Sequence, residues 1–184
     1  LIHKLKIIEN NIGMGNVCLV PLNYLFRRGQ GIKIFSLIAK QCMEKNSLIP
    51  TIKSFNDNII DADDGYEGAI VFEPKTGIYY DPIVVLDYAS LYPSLMIYYN
   101  LSYDSIVLDT TWAENNKDKC ETMHNGVIFV KPEIHTGILP RLEQELGLQR
   151  KAAKKRKAAA EKGSVEAVIF DGEQNAIKIV MNSL

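Results

Sequence analysis

No CxxC pair and no even set of cysteines occurs in this sequence. Cys18, Cys42 and Cys120 lie far apart and are odd in number. That excludes a zinc site built by spacing and points to a reducing compartment. No apolar run approaches the roughly 20 residues that span a bilayer, and no signal peptide is visible, so neither membrane insertion nor secretion is expected. A basic excess is missing as well. Lys and Arg number 21 against 22 Asp and Glu, a net charge of −1, so the chain as a whole does not announce a polyanionic partner. GxxxxGK[ST] and GxGxxG are absent, and the Gly29–Gly31 pair belongs to neither, which disfavours P-loop and dinucleotide-binding enzymes. No internal repeat is evident. The chain opens at Leu1 without Met and stops at Leu184 inside a helical pattern, so it reads as a piece of something longer.

What is present is an ordinary globular balance, 47% hydrophobic and 23% charged, enough for one core or parts of two. Leu5, Ile8 and Ile12 have roughly helical spacing, and Ile34, Leu37, Ile38 and Met43 could line one face of a helix over 32–43. Pro50 and the polar run Lys53–Asp64 read as a loop or a seam between domains. The run holds Asp57, Asp61, Asp63 and Asp64, but its spacing is not that of an EF-hand loop. Strands are predicted at Gly68–Phe72 and Ile83–Leu86. The second, Ile-Val-Val-Leu, is a continuous apolar run of the kind buried on both faces, and Pro74–Gly77 is turn chemistry between the two. A helix is predicted over 90–100 with Pro93 in its first turn, a surface loop over Thr110–Asn125 and a short strand at Val127–Val130. From Gly137 a long helix runs to about Glu161. Gly163 breaks it, and a second helix from about Val165 completes an antiparallel hairpin. Between Arg141 and Lys162 there are eight Lys or Arg against three Glu. Taken alone, such a stretch is as readily a solvated face as an anion site.

Two constellations could carry chemistry. Asp87 ends the apolar run and opens Asp87–Tyr88–Ala89–Ser90–Leu91–Tyr92–Pro93–Ser94. An Asp at a strand end can hold magnesium, which takes one or two carboxylates and completes its shell with phosphate and water. The turn after it can offer backbone amides to phosphate. The plainer alternative is that Asp87 caps the following helix and Tyr92 packs. In the hairpin, Arg150 and Lys154 share a face, and Gln174, Lys178 and Asn182 form a stripe opposite the apolar Ile177, Val180, Met181 and Leu184. Two helices presenting cations at matching depth could clamp a triphosphate. A solvated hairpin is the alternative.

These residues resemble the B family of DNA polymerases. DYASLYPS at 87–94 is similar to the family's first catalytic motif, Asp, an aromatic, any residue, then SLYPS. QNAIKIVMNSL at the end resembles the fingers motif at Lys178, Asn182 and Ser183. GILPRLEQELGLQRKAAKK resembles the first fingers helix, which carries Arg150 and Lys154. Tyr66–Glu67–Gly68–Ala69 looks like the Tyr-x-Gly-Gly element that touches the template, with Ala69 replacing the second Gly. VPLNYLFRRGQGIKIFS is similar to the last helices of the 3′–5′ exonuclease region in delta-type members.

The resemblance implies an α+β fold with an exonuclease tail over 1–52, a partial palm sheet over 53–136 and a helical-hairpin fingers subdomain over 137–184. It implies a DNA-directed DNA polymerase that extends a primer 3′ end by two-metal nucleotidyl transfer, located in the nucleus or at a viral replication site. Asp87 would be catalytic and bind both Mg2+ ions, with the Tyr88 carbonyl as a further ligand. Ser90 and Leu91 would offer amides to the triphosphate, and Tyr92 would sit under the sugar and exclude a 2′-hydroxyl. Arg150, Lys154, Lys178 and Asn182 would hold the phosphates, and Tyr66 and Gly68 the template. Partners would be primer-template DNA, deoxynucleoside triphosphates and a sliding clamp or accessory subunits. A departure follows: the family's second catalytic carboxylate, in an Asp-Thr-Asp element, has no counterpart in 1–184. A catalytically inactive relative serving as a scaffold or DNA-binding subunit is therefore the alternative.

Overall fold

The computed structural model describes residues 6–49, 68 and 70–184. They fall into a larger unit, 6–49 with 89–184, and a smaller one within Pro50–Tyr88. The larger unit begins with α1 (Ile7–Cys18), α2 (Leu22–Arg27) and α3 (Gly31–Lys45). Pro21 sits at the N-cap of α2, where its missing N–H is not needed. Asn46 closes α3 in the left-handed conformation that asparagine tolerates. The expected faces are only partly right. Ile8 and Ile12 are exposed while Met14 and Cys18 are buried, and Leu5 lies outside the described residues. On α3, Leu37 is buried as expected, but Met43 is 80% exposed and Gln41 and Cys42 are enclosed instead. Polar contacts explain the exchange: Gln41 Nε2 donates to Glu145 at 2.7 Å, and Cys42 Sγ lies 2.9 Å from the Tyr103 hydroxyl.

α4 (Leu91–Tyr98) carries Pro93 in its first turn, where a proline breaks no hydrogen bond. The stretch expected to be a loop over 110–125 is ordered into α5 (Thr110–Asn115), a single 3-10 turn at Lys117–Lys119 and β1 (Cys120–Thr122). Asp109 caps α5 by accepting from Trp112 N at 3.0 Å. β1 pairs antiparallel with β2 (Ile128–Val130), Cys120 opposite Val130 and Thr122 opposite Ile128. β2 bears out the short strand expected at Val127–Val130, whereas β1 falls inside the expected loop.

The hairpin forms as expected from α6 (Ile138–Ala159) and α7 (Val165–Met181). Gly163, at φ 88°, makes the turn, and Ser164 Oγ caps α7 by accepting from Ala167 N at 3.1 Å. Arg156 pairs with Glu173 at 2.8 Å and Lys157 with Asp171 at 2.6 Å, which fixes the antiparallel register. The core draws Leu142 and Leu146 from α6, Ala176, Ile177 and Val180 from α7, and Met14, Cys18, Val20 and Leu37 from the N-terminal helices. α1 crosses α7 at two glycines. A Cβ on Gly172 would lie 3.2 Å from Asn10 Oδ1, and one on Gly13 would lie 3.5 Å from the backbone of Gly172 and Glu173. That close backbone approach sets which stripe of α1 faces inward.

Among the described residues of the smaller unit the predicted strands do not form. Residues 70–88 carry no strand, and Val84 and Val85 are 80% and 85% exposed rather than buried on both faces. An apolar run becomes a strand only when neighbours pair with its backbone, and among the described residues the one sheet is β1–β2. The class is α+β, with its sheet drawn from 120–130. Pro50, Lys53–Asp64 with its four aspartates, and the expected boundary at 52–53 lie outside the described residues.

Gly137 is the tightest glycine among the described residues: a Cβ there would lie 2.5 Å from Ser102 Cβ. Gly137→Ala is expected to cost about 1–3 kcal/mol through forced displacement, read as a lower midpoint in thermal or urea unfolding. An unchanged midpoint would refute the packing assigned to this contact.

Candidate functional site

The 87–94 segment divides between the two units, with Asp87 and Tyr88 in the smaller and Ala89 onward in the larger. Asp87 does not cap α4. The N-cap is Ser90, held left-handed at φ 54° and ψ 61°, and Ser94 Oγ donates to Ala89 O at 3.1 Å across the turn. A serine in that conformation costs roughly 1–2 kcal/mol and persists only where its surroundings impose it, a pattern common at functional sites. The first free amide donors of α4 are those of Leu91 and Tyr92, since Pro93 has none. Tyr92 and Tyr88 are both largely exposed, at 76% and 79%.

The Asp87 carboxylate is exposed and forms no ion pair among the described residues. As one hard oxygen donor beside a free backbone carbonyl, it suits part of a magnesium shell, which needs only one or two protein carboxylates. No group of three or more His, Cys, Asp or Glu that could hold a metal occurs among the described residues. Gly68 is exposed, and Tyr66 lies outside the described residues.

The hairpin carries three of the predicted cations, Arg150 and Lys154 on α6 and Lys178 in the last turn of α7. The register through Arg156–Glu173 and Lys157–Asp171 puts Arg150 level with Lys178, one turn of α6 from Lys154. Lys154 and Lys178 are exposed, whereas Arg150 is half-buried with its Nε enclosed and unpartnered. Arg156 and Lys157 are taken up by α7, and the Arg156 guanidinium also lies 4.8 Å from the Phe170 ring centre. Asn182 lies just past the end of α7 and is exposed, while Gln174 of the same stripe is turned to Asp171 and Asn175.

α6 is seated by residues that motif reading passed over. Its N-cap is Gly137, which has no side chain to offer. Asn100 Oδ1 accepts from Gly137 N at 2.8 Å, Asp104 accepts from Ile138 N at 3.0 and 3.2 Å, and Ser102 Oγ accepts from Leu139 N at 3.3 Å. The buried Asn100 amide also donates to Val130 O and His135 O, both at 2.7 Å. Ser102 Oγ donates to Asp104, and His135 Nε2 lies 3.0 Å from its other oxygen. The only signal in sequence was the alternating Asn100, Ser102 and Asp104 ahead of a helix lacking a cap of its own. Glu143 was also missed. It is 0% exposed, neither oxygen has a hydrogen-bond partner among the described residues, and burial pushes its carboxyl up to about 7. A cavity of about 530 Å³ lies between α1, α3, α6 and α7, and none of the predicted site residues lines it.

The sequence profile of DNA polymerase family B matches residues 20–184. The chain belongs to this family. It is 47% identical over 173 residues to a DNA polymerase of Pyramimonas orientalis virus, covering 84% of this chain and 14% of that protein. It is 39% identical over 186 residues to the DNA polymerase delta catalytic subunit of rice, covering all of this chain and 16% of that subunit. The family B DNA polymerase of Pyrobaculum calidifontis superposes with a TM-score of 0.72 at 26% identity, over 97% of this chain and 22% of the archaeal one. As a family B segment the chain thus spans about a sixth of its curated relatives. No helix among the described residues is long and apolar enough to cross a membrane.

The Asp104 carboxyl pays a desolvation penalty that would raise its pKa. Hydrogen bonds from Ser102, the Ile138 amide and His135 outweigh it and hold the pKa below the ordinary 3.8. Its stabilisation is therefore present above the unfolded value and lost as pH falls through the lower native one. Asp104→Asn is expected to cost about 1–3 kcal/mol at pH 7 and to flatten the acid limb of stability below pH 4. Unfolding midpoints of the two proteins from pH 7 to 2 check this, and parallel curves would refute it.

Proposed function

We propose that this chain is part of a DNA-directed DNA polymerase and carries one half of its nucleotidyl-transfer site. Residues 1–52 would be the tail of an exonuclease region, 53–136 part of the palm and 137–184 the fingers. The observation that carries the reading is the pairing of Arg150 and Lys178 at one level of the α6–α7 hairpin in a family B segment that also contains DYASLYPS. Arg150, Lys154 and Lys178 would neutralise the phosphates of an incoming deoxynucleoside triphosphate, with Asn182 hydrogen-bonding beside them. The amides of Ser90 and Leu91 would contact the same phosphates. Tyr92 would form the floor beneath the sugar, its ring excluding a 2′-hydroxyl. Tyr66 and Gly68 would contact the template, and phosphate contacts would make primer-template binding salt-sensitive.

Asp87 and the Tyr88 carbonyl would hold magnesium, two ions in the complete site, which when bound neutralises phosphate charge and activates the primer hydroxyl. The protein's own part is positioning and electrostatics, as in other phosphoryl transfers. The second carboxylate this chemistry requires is not within 1–184, so residues 1–184 by themselves are expected not to extend a primer. Nuclear or viral replication, with a clamp or accessory subunits, completes the proposal.

In the full-length protein, Asp87→Ala is expected to reduce single-turnover incorporation by about 10³-fold or more, a loss of several kcal/mol in transition-state stabilisation. Lys178→Ala is expected to lower kcat/KM for deoxynucleotide by roughly 10–100-fold, the worth of a charge-assisted hydrogen bond. Tyr92→Ala is expected to raise ribonucleotide incorporation while leaving primer-template affinity unchanged. Undiminished incorporation by Asp87→Ala would sink the proposal.

A further inference from the structure

Asn100 is fully buried, and both donors of its carboxamide are used. It follows Tyr99, the C-cap of α4, in the left-handed conformation at φ 55°, and Leu101 N returns to Met96 O at 2.9 Å. This helix-ending turn fixes the Asn100 backbone to α4, so its side chain moves with that helix. The carboxamide then makes three bonds away from α4. Nδ2 donates to Val130 O at the end of β2 and to His135 O, both at 2.7 Å. Oδ1 accepts from Gly137 N, at the N-cap of α6, at 2.8 Å. Asp104 and Ser102 receive the next two amides, Ile138 N and Leu139 N. No carbon could be added at Gly137 without meeting Ser102 or Asn100, so the junction is tight as well as bonded. All of these residues belong to the larger unit.

Asn100 therefore stands between two arms. On α4, Tyr92 lies eight residues back, about 12 Å along the axis. On α6, Arg150 lies thirteen residues beyond Gly137, about 20 Å away, and Lys154 about 25 Å. A tilt of about 3° at Gly137 would carry the Arg150 backbone sideways by about 1 Å, and a misplacement of that size can cost about 100-fold. Along its length α6 is held by Leu142 and Leu146 in the core. Apolar contact resists separation but is non-directional, whereas hydrogen bonds at the helix start set its direction.

We infer that Asn100 is a positioning residue for the incoming nucleotide, holding the sugar floor on α4 and the phosphate-binding cations on α6 in one register. Buried as it is, it acts only through the placement of Arg150 and Lys154 relative to Leu91 and Tyr92. The inference rests on the triphosphate role proposed for α6 and adds the residue that sets its geometry.

The test uses the full-length protein with a dideoxy-terminated primer-template, magnesium and the complementary deoxynucleoside triphosphate. Asn100→Asp keeps the size of the side chain, its tolerance of left-handed backbone and an acceptor for Gly137 N. It replaces the amide that donates to Val130 O and His135 O with an oxygen that repels both. The variant is expected to bind the nucleotide about 10–50-fold more weakly, with primer-template affinity changed by less than about twofold. A purely structural role would lower the fraction of protein that binds and leave the nucleotide Kd of that fraction at its wild-type value. That result overturns the inference. Asp109→Ala, which removes the cap of α5, is a destabilised control expected to keep wild-type nucleotide affinity, and an equal loss there overturns the inference too. Should Asn100→Asp not fold, Ser102→Ala removes one acceptor of the same cluster and is expected to raise the nucleotide Kd about two- to fivefold. An unchanged Kd in that variant is equally decisive against the inference.

Arg150→Ala separates this inference from the reading beneath it. If it binds nucleotide as wild type does, the triphosphate role falls and the positioning role falls with it. If it binds weakly, adding Asn100→Asp is expected to cost less than in the wild-type background, and additive losses overturn the action through α6. Weak binding by Arg150→Ala with wild-type affinity in Asn100→Asp refutes the positioning role and leaves the polymerase reading standing.

Discussion

The first turn of α6 presents amides that the helix cannot satisfy from within. Its N-cap is a glycine, and Pro140 follows two residues into the helix without an N–H. Orphan donors at a buried helix start cost stability unless acceptors are brought to them. Asn100, Ser102 and Asp104 bring those acceptors from the segment just after α4. The acidic Asp104 also sits at the positive end of the α6 dipole, the favourable place for negative charge. One cluster of short polar side chains thus locks the helix bearing Tyr92 to the helix bearing Arg150 and Lys154. Remove the cluster and the relative placement of these groups loses its main polar restraint.

The helical hairpin depends on that seat. With α6 fixed at its start, α7 is aligned against it by two ion pairs and by a core in which Ala176, Ile177 and Val180 join Leu142 and Leu146. The same ion pairs divide the basic stretch in two. Arg156 and Lys157 hold the hairpin together, whereas Arg150, Lys154 and Lys178 form no ion pair among the described residues. A run of charge that looks uniform in composition therefore has structural and candidate binding members, separated by the partners that α7 supplies. Glu143 adds a further distinction, since an unpaired carboxylate inside the unit is tolerated only if it is neutral or finds a cation.

The smaller unit makes a complementary point. Residues 83–86 have the apolar continuity of a central strand, yet they are exposed and unpaired among the described residues. Apolar surface of that kind is what neighbouring strands cover in a complete sheet. The chain spans 14% of the Pyramimonas orientalis virus polymerase and 16% of the rice subunit.

Local regularity was legible in the sequence. Long helices announce themselves through many turns of periodicity, so α3, α6, α7 and the hairpin between Gly137 and the C-terminus could be read directly. The ordered residue types of DYASLYPS and the Lys178–Asn182–Ser183 spacing carried the family, because a motif is a string and needs no coordinates. Tertiary structure alone decided the rest. Which stripe of α1 turns inward follows from a glycine crossing with α7, and Gln41 is buried because Glu145 waits for it 104 residues away. β1 exists through its pairing with β2, the cap of α6 arrives from 34 or more residues upstream, and the isolation of Glu143 is a property of what surrounds it. Periodicity and motifs are properties of neighbouring positions along the chain, whereas burial, pairing and charge compensation are properties of neighbours in space.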